Sequence, residues 1–356
     1  MLSRRVLVVR LDNAGDVLLS GPAVRAVAAA GADITYLCGP HGRAAARLLP
    51  GVGAVIEHRA PWIDPDRVPV DRGTTEEVIA AVEAVAPDEA VILTSFHQSP
   101  LPTALLLKLA GVPMVAAISE DYPGSLLDVR HRVDDDIHEV QRSLSLVGRL
   151  GYRLPDGDDD RLRVVLPSRS SPLGGGDDGL LAGGAFVVLH PGASVSARAW
   201  GPARAQELAA ALAARGTPVV VTGGGAEQGL TAAVAAAARS AATAGTAVVD
   251  AGGRTDLTGL AVVIARARAV VTGNTGPAHL AAAVGTPVVS LYAPTVPAVR
   301  WRPWRVPHVL LGDQRIACAG CRARICPVEG HPCLSSVTLE EVLDGLDAVA
   351  GAGVAA

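Results

Sequence analysis

The chain is poor in aromatic residues, which make up 3% of its 356 positions. So few rings exclude a stacking platform for single-stranded nucleic acid. Basic charge is not in excess either: 31 Lys and Arg against 35 Asp and Glu leave a net charge of −4. No global field calls for nucleic acid or an anionic membrane, and any anion site must be local. Long apolar runs are also missing. The stretch Leu280–Val299 lacks charges but carries Pro287, Pro294 and Pro297, which suits strand and loop rather than a membrane-spanning helix of about 20 residues. At the N-terminus Arg4, Arg5 and Arg10 bracket only a short apolar run, unlike a signal peptide. Cysteines number five, four of them between Cys318 and Cys333, too few and too clustered for a secreted disulfide scaffold. A soluble cytoplasmic protein is the expectation.

What the chain has is Ala, Val and Gly, with 49% hydrophobic residues and 39 glycines, enough for about two α/β domains by the prior of roughly 100–200 residues each. Short apolar runs alternate with Ala/Leu-rich segments of helical length, the pattern of βαβ units on a parallel sheet. The first half predicts strands at 6–11, 33–37, 90–94 and 114–118, with helices at 17–29, 43–49, 75–85, 102–109 and 137–150. The Asp/Gly/Pro/Ser-rich stretch from Pro155 to Gly184 then breaks the rhythm, apart from one short strand near 162–166. It resumes with strands at 186–189, 218–222, 247–250, 269–272 and 287–291, each followed by a helix. The expected organisation is an N-terminal Rossmann-like domain over 1–168, a linker over 169–184 and a second Rossmann-like domain over 185–338. A final helix in 339–356 would pack back towards the first domain. Ligands of such sheets bind at the carboxyl ends of the strands, so the two domains would face each other across a cleft.

Three strand ends of the second domain carry candidate anion-binding chemistry. In "VVTGNTGPAHL", Asn274 or Thr275 can cap a helix and Pro277 fits its first turn. The N–H groups of Ala278, His279 and Leu280, with the helix dipole behind them, would then face an anion such as a diphosphate. In "LHPGASVSARAW", Ser194 and Ser196 offer hydroxyls and Arg198 a fork of donors. In "VTGGGAEQ", glycines admit a ligand and Glu227 can accept ribose hydroxyls or simply favour a helix start. The first domain opens with "RLDNAGDVLLSGPAV", where Gly15 and Gly21 lack the G-x-G-x-x-G spacing of a dinucleotide cradle and Asp16 follows Gly15. By itself Asp16 suits a helix cap.

Other features admit several readings. Cys318, Cys321, Cys326, His331 and Cys333 have the ligand types of a structural zinc site, but also suit packed reduced thiols or disulfides. Cys38 reads as a core thiol. The runs Asp64–Asp66, Asp134–Asp136 and Asp156–Asp160 invite a D-x-D metal reading, yet acid runs usually lie in solvated loops. His138 and Arg142 share a helical face four residues apart, a pair expected to face solvent.

Taken together, "RLDNAGDVLLSGPAVRAV", "LHPGASVSARAW", "GNTGPAHLAAAVGTPVVSLYAPTVPAVRWRPW" and "CAGCRARICPVEGHPCL" resemble glycosyltransferase family 9, the ADP-heptose:lipopolysaccharide heptosyltransferase family. The resemblance implies a GT-B fold and inverting transfer without an obligatory metal or other cofactor. It implies a nucleotide-diphosphate sugar donor on the C-terminal domain and a glycan or small-molecule acceptor on the N-terminal domain. It assigns the catalytic base to Asp16, donor contacts to Ser194, Ser196, Arg198, Glu227, Asn274, Thr275, Gly276 and His279, and the acceptor side to Asn13, Gly15 and Arg142. Where relatives read Asp-(Ser/Thr)-Gly, this chain has Asn274, which puts any contact needing a carboxylate there, and with it a heptose donor, in question. Two other classes compete: a nucleotide-sugar isomerase of the 2-epimerase type on the same fold, and a non-catalytic nucleotide-sugar binding protein.

Overall fold

The structure, a computed structural model, describes residues 3–66, 68–133, 136–168, 172–173, 177, 179, 183 and 185–352. It divides into two compact units, Met1–Val165 and Leu166–Ala356.

The first unit holds strands β1 (Arg5–Arg10), β2 (Asp33–Cys38), β3 (Val52–Glu57), β4 (Glu89–Ile92), β5 (Met114–Ile118) and β6 (Val129–His131). They form a parallel sheet in the order β3-β2-β1-β4-β5-β6. Central β1, sequence RVLVVR, is buried on both faces after its first residue, as a strand covered by helices on either side must be. Those helices are α1 (Ala14–Leu19), α2 (Gly21–Ala29), α3 (Arg43–Leu48), α4 (Arg72–Val85), α5 (Leu101–Leu109) and α6 (Glu139–Arg149).

The single helix expected over 17–29 is two. Ser20 ends α1 and starts α2, its Oγ donating to the Val17 carbonyl at 2.6 Å and pairing with Tyr36 Oη at 2.7 Å, while Pro22 fills the first turn of α2, where no N–H is needed. The short edge strands β3 and β6 were not anticipated. Nor does the strand expected near 162–166 form. That segment is instead fastened to the first unit: Val165 N–H donates to the Leu48 carbonyl at 2.8 Å, and Arg25 grips Asp158 with two bonds of 2.9 Å. Most of the linker expected over 169–184 lies outside the described residues.

The second unit repeats the plan with β7 (Val187–His190), β8 (Val219–Val221), β9 (Val248–Asp250), β10 (Ala269–Gly273), β11 (Val288–Leu291) and β12 (His308–Leu311), ordered β12-β11-β10-β7-β8-β9. Its helices are α7 (Pro202–Ala214), α8 (Gln228–Ala241), α9 (Leu257–Ala265), α10 (Gly276–Val284), α11 (Ala298–Trp301), α12 (Pro332–Ser335) and α13 (Leu339–Ala352). The core is Val, Ala and Leu from sheet and helices. In the last helix, Val342, Leu343, Leu346 and Val349 of α13 belong to the second unit's core.

In each unit the chain reverses direction across the sheet between two central strands, β1 and β4 in the first and β7 and β10 in the second. The loops leaving those strands are where an open α/β sheet binds its ligands.

Candidate active site

At the switch point of the first sheet, charged side chains meet below the surface. Arg10, the last residue of β1, is 1% exposed. Its guanidinium lies 2.9 Å from Asp12, 3.0 Å from Glu139 and 3.3 Å from Asp16, and donates to Ser95 Oγ at 2.9 Å. Asp12 is held in turn by Ser95 Oγ at 2.9 Å and Gln98 Nε2 at 2.8 Å, both beyond β4. Glu139 comes from the first turn of α6, where His138 accepts the Val140 N–H and Gln141 closes a capping box. Burial works against the Arg10 charge, but Asp12, Glu139 and Asp16 outweigh it and hold its pKa above the ordinary value. Burial raises the Glu139 pKa in spite of Arg10 and Arg142.

Of the three carboxylates, the side chains of Asp12 and Glu139 are 5% and 1% exposed, whereas Asp16 retains 21%. Asp16 is thus the one that an outside molecule can reach. It stands in the first turn of α1; the cap position belongs to exposed Asn13, which makes no side-chain cap bond. Gly15 is buried beside it. The solvent-facing pair expected of His138 and Arg142 is corrected: they are 1% and 6% exposed, because α6 packs against α2 and its first turn enters the Arg10 network.

In the second unit, loops leaving β7, β8, β10 and β11 converge through backbone. His190 Nδ1 pairs with Thr222 Oγ1 at 3.0 Å. Its Nε2 lies 3.9 Å from Glu227, and burial lowers its pKa against the pull of that carboxylate. Glu227 accepts the Gly224 N–H at 2.7 Å and lies so close to Gly192 that a Cβ there would collide with its carboxylate. A Cβ on Gly273 would likewise stand 2.7 Å from the Arg198 carbonyl. Arg198 itself, half-buried, donates to Thr295 Oγ1 at 3.4 Å. Ser194 and Ser196 are exposed, and Ser196 Oγ donates to the Arg324 carbonyl at 3.2 Å.

Asn274 does something other than capping. Its Nδ2 donates to the Ala293 carbonyl at 3.2 Å and its Oδ1 accepts the Ala293 N–H at 3.3 Å, so both ends of a buried amide latch the loop after β10 to the loop after β11. A carboxylate could serve only one of these bonds. Thr275 holds the cap position of α10, without a side-chain cap bond. The Ala278 N–H, expected to be open to an anion, already donates to the Thr275 carbonyl at 3.0 Å. Gly276 starts the helix, and His279 sits in its fourth position, 7% exposed.

All five cysteines are free thiols. Cys38 is fully buried in β2, as expected. Burial pushes the Cys333 thiol up to about 11, with Cys326, Cys318 and Cys321 adding to the effect. His331 Nε2 pairs with the Ala197 carbonyl at 3.1 Å. Of the acid runs, Asp158 and Asp159 are paired with Arg25, Arg161 and Arg163, and Asp134 and Asp135 lie outside the described residues. Asp64 and Asp66 stand with His41 within 4.8 Å of one another, but Asp64 is engaged by Arg59 at 3.3 Å and by the Asp66 N–H at 2.9 Å.

Two Rossmann-like units with these loops at the ends of their sheets describe a glycosyltransferase of GT-B fold. The model of glycosyltransferase family 9 (heptosyltransferase) matches residues 94–331, well over half of the chain, and the chain belongs to that family. Among solved structures, a family 9 glycosyl transferase from Veillonella parvula is similar with a TM-score of 0.75 and 19% identity, over 98% of this chain and 97% of that one. The Escherichia coli ADP-heptose lps heptosyltransferase II gives 0.72 and 20%, over 99% and 100%. The E. coli heptosyltransferase WaaC with ADP gives 0.66 and 20%, over 96% and 97%. No curated protein matches by sequence. Among the described residues no helix is long and apolar enough to cross a membrane.

Proposed function

We propose that this glycosyltransferase inverts the anomeric centre as it moves a sugar, a heptose from ADP-heptose, to a hydroxyl of a glycan or small-molecule acceptor. Asp16 takes the hydroxyl proton as general base while the sugar departs through an oxocarbenium-like transition state, comparable to that of glycoside hydrolysis. Gly15 and Asn13 flank it on the acceptor side. The departing diphosphate is met by the start of α10, by His279 and by Arg198, with Ser194 and Ser196 donating to phosphate oxygens and Glu227 accepting from the ribose. Transfer then needs no divalent ion at the diphosphate. The E. coli relative WaaC, described with ADP, supports adenine as the donor base. Because the Asn274 amide is taken up by Ala293, donor hydroxyls are read by other groups of this site.

The observation that carries the reading is Asp16, the accessible carboxylate of a buried charged network at the end of β1. Asp16→Asn should keep the donor's thermal shift and lower transfer by about 10²–10⁴-fold. A panel of ADP-, GDP-, UDP- and dTDP-sugars identifies the donor, and omitting Mg²⁺ should leave the rate unchanged. If no nucleotide sugar shifts the transition, the donor assignment fails. Donor consumed without an acceptor would instead mark an isomerase, and binding without turnover a non-catalytic binder.

A further inference from the structure

The chain has two phenylalanines. Phe186 is fully buried in the second unit, whereas Phe96 is half-buried in the loop leaving β4, with exposed His97 beside it. Their rings meet edge to face, with centroids 5.3 Å apart and planes at 72°, one of the favoured geometries of aromatic pairs. Both stand at the tip of a tight turn: the Gln98 N–H donates to the Ser95 carbonyl at 2.9 Å, which makes Phe96 and His97 the two central residues. Such positions ordinarily take Gly, Pro, Asn, Asp or Ser. A phenylalanine there gains nothing for the turn itself.

The turn is fastened at both ends. Ser95 N–H donates to Gln98 Oε1 at 2.9 Å, Ser95 Oγ to Asp12 Oδ2 at 2.9 Å, and Gln98 Nε2 to Asp12 Oδ1 at 2.8 Å. Arg10 Nη2 then ties the turn to the candidate base, for it donates both to Ser95 Oγ at 2.9 Å and to Asp16 Oδ1 at 3.3 Å. The ring pair is thereby held next to Asp16, at the crevice where the strand order reverses. A rigid ring loses little conformational freedom on binding, and its negative face attracts the partly positive C–H groups of a sugar ring.

We propose that the turn Ser95–Gln98 is the acceptor subsite: Phe96 stacks on the C–H face of a pyranose ring, and His97 hydrogen-bonds one of its hydroxyls, bringing a neighbouring hydroxyl to Asp16. Asp12, Ser95 and Gln98 act through the turn, as positioning residues. The subsite rests on the reading of Asp16 as general base and narrows its substrate, from any hydroxyl compound to a pyranoside. A linear polyol presents no such C–H face.

The test is saturation-transfer NMR of the full chain with the methyl pyranosides of glucose, galactose and mannose. At least one should bind the parent and receive saturation on the C–H protons of one ring face. Phe96→Ala should weaken that pyranoside about tenfold and His97→Ala about threefold, while Phe96→Tyr, which keeps the ring, binds it as the parent does. Phe96→Ala should also keep cooperative urea unfolding and the thermal shift given by ADP, which separates a lost contact from a damaged fold. No binding of any of the three to the parent, or equal binding by Phe96→Ala, would overturn the subsite. Asp16→Asn distinguishes the two readings. Transfer intact in that variant, with binding still lost in Phe96→Ala, would leave the subsite standing and remove Asp16 as the base.

Discussion

At the switch point between β1 and β4, Arg10 is surrounded by Asp12, Asp16 and Glu139 at 2.9–3.3 Å. At the corresponding point between β7 and β10 the contacts are made by Gly192, Gly273 and the Asn274 amide against backbone and a single carboxylate. The same strand order thus carries opposite materials. A buried ion cluster costs desolvation and keeps its place only with every partner present; in return it holds one carboxylate in a fixed position, as proton transfer requires. Loops packed through glycine and amide contacts bring backbone close to backbone, with Glu227 packed against Gly192 among them.

The largest effect expected is at the charged end. Arg10→Met leaves Asp12 and Glu139 buried without their cation, and should cost about 3–5 kcal/mol in urea unfolding; a loss below about 1 kcal/mol, the range of exposed pairs, would mean that the cluster is not the tight ion network drawn above. At the neutral end, Asn274→Asp forfeits the bond to the Ala293 carbonyl and sets two acceptors against each other. That should cost about 1–3 kcal/mol and weaken nucleotide binding by loosening the loop after β11. A variant as stable as the parent, with altered sugar preference, would show that position 274 reads the donor after all.

The sheet plan was legible because βα periodicity survives tertiary context: the strands at 33–37, 114–118 and 287–291 fall where the alternation puts them. The edge strands β3, β6 and β12 were lost, β3 because Gly53 and Glu57 interrupt its apolar run and β6 because only Val129 of its three residues is apolar. Asp16 and Glu227 announced themselves by standing at a strand-to-helix turn beside glycine. Glu139 could not, since the partner that makes it matter is Arg10, 129 positions away. Arg10 and Asp12 did leave a trace, as two charges closing an otherwise apolar strand. Asn274 looked like a cap by residue type, but local sequence holds no sign of the Ala293 backbone that claims its amide.

The smallest effect isolates one member of the charged cluster. A carboxyl whose pKa rises on folding binds its proton more tightly in the folded chain, as burial makes Glu139 do. That contribution favours folding below the unfolded value, near 4.3 for Glu, and is lost as pH climbs through the raised folded value. Gln at 139 fills the same space, keeps an oxygen for Arg10 and cannot ionise. The stability of the parent minus that of Glu139→Gln should therefore decline as pH rises above about 4, by about 1.4 kcal/mol for each unit by which the pKa is raised. His58 and His190, whose pKa values burial lowers, titrate in both proteins and cancel in the difference. A flat or rising difference in urea midpoints across that range would mean that Arg10 and Arg142 overcome burial, making Glu139 a permanently charged partner of Arg10.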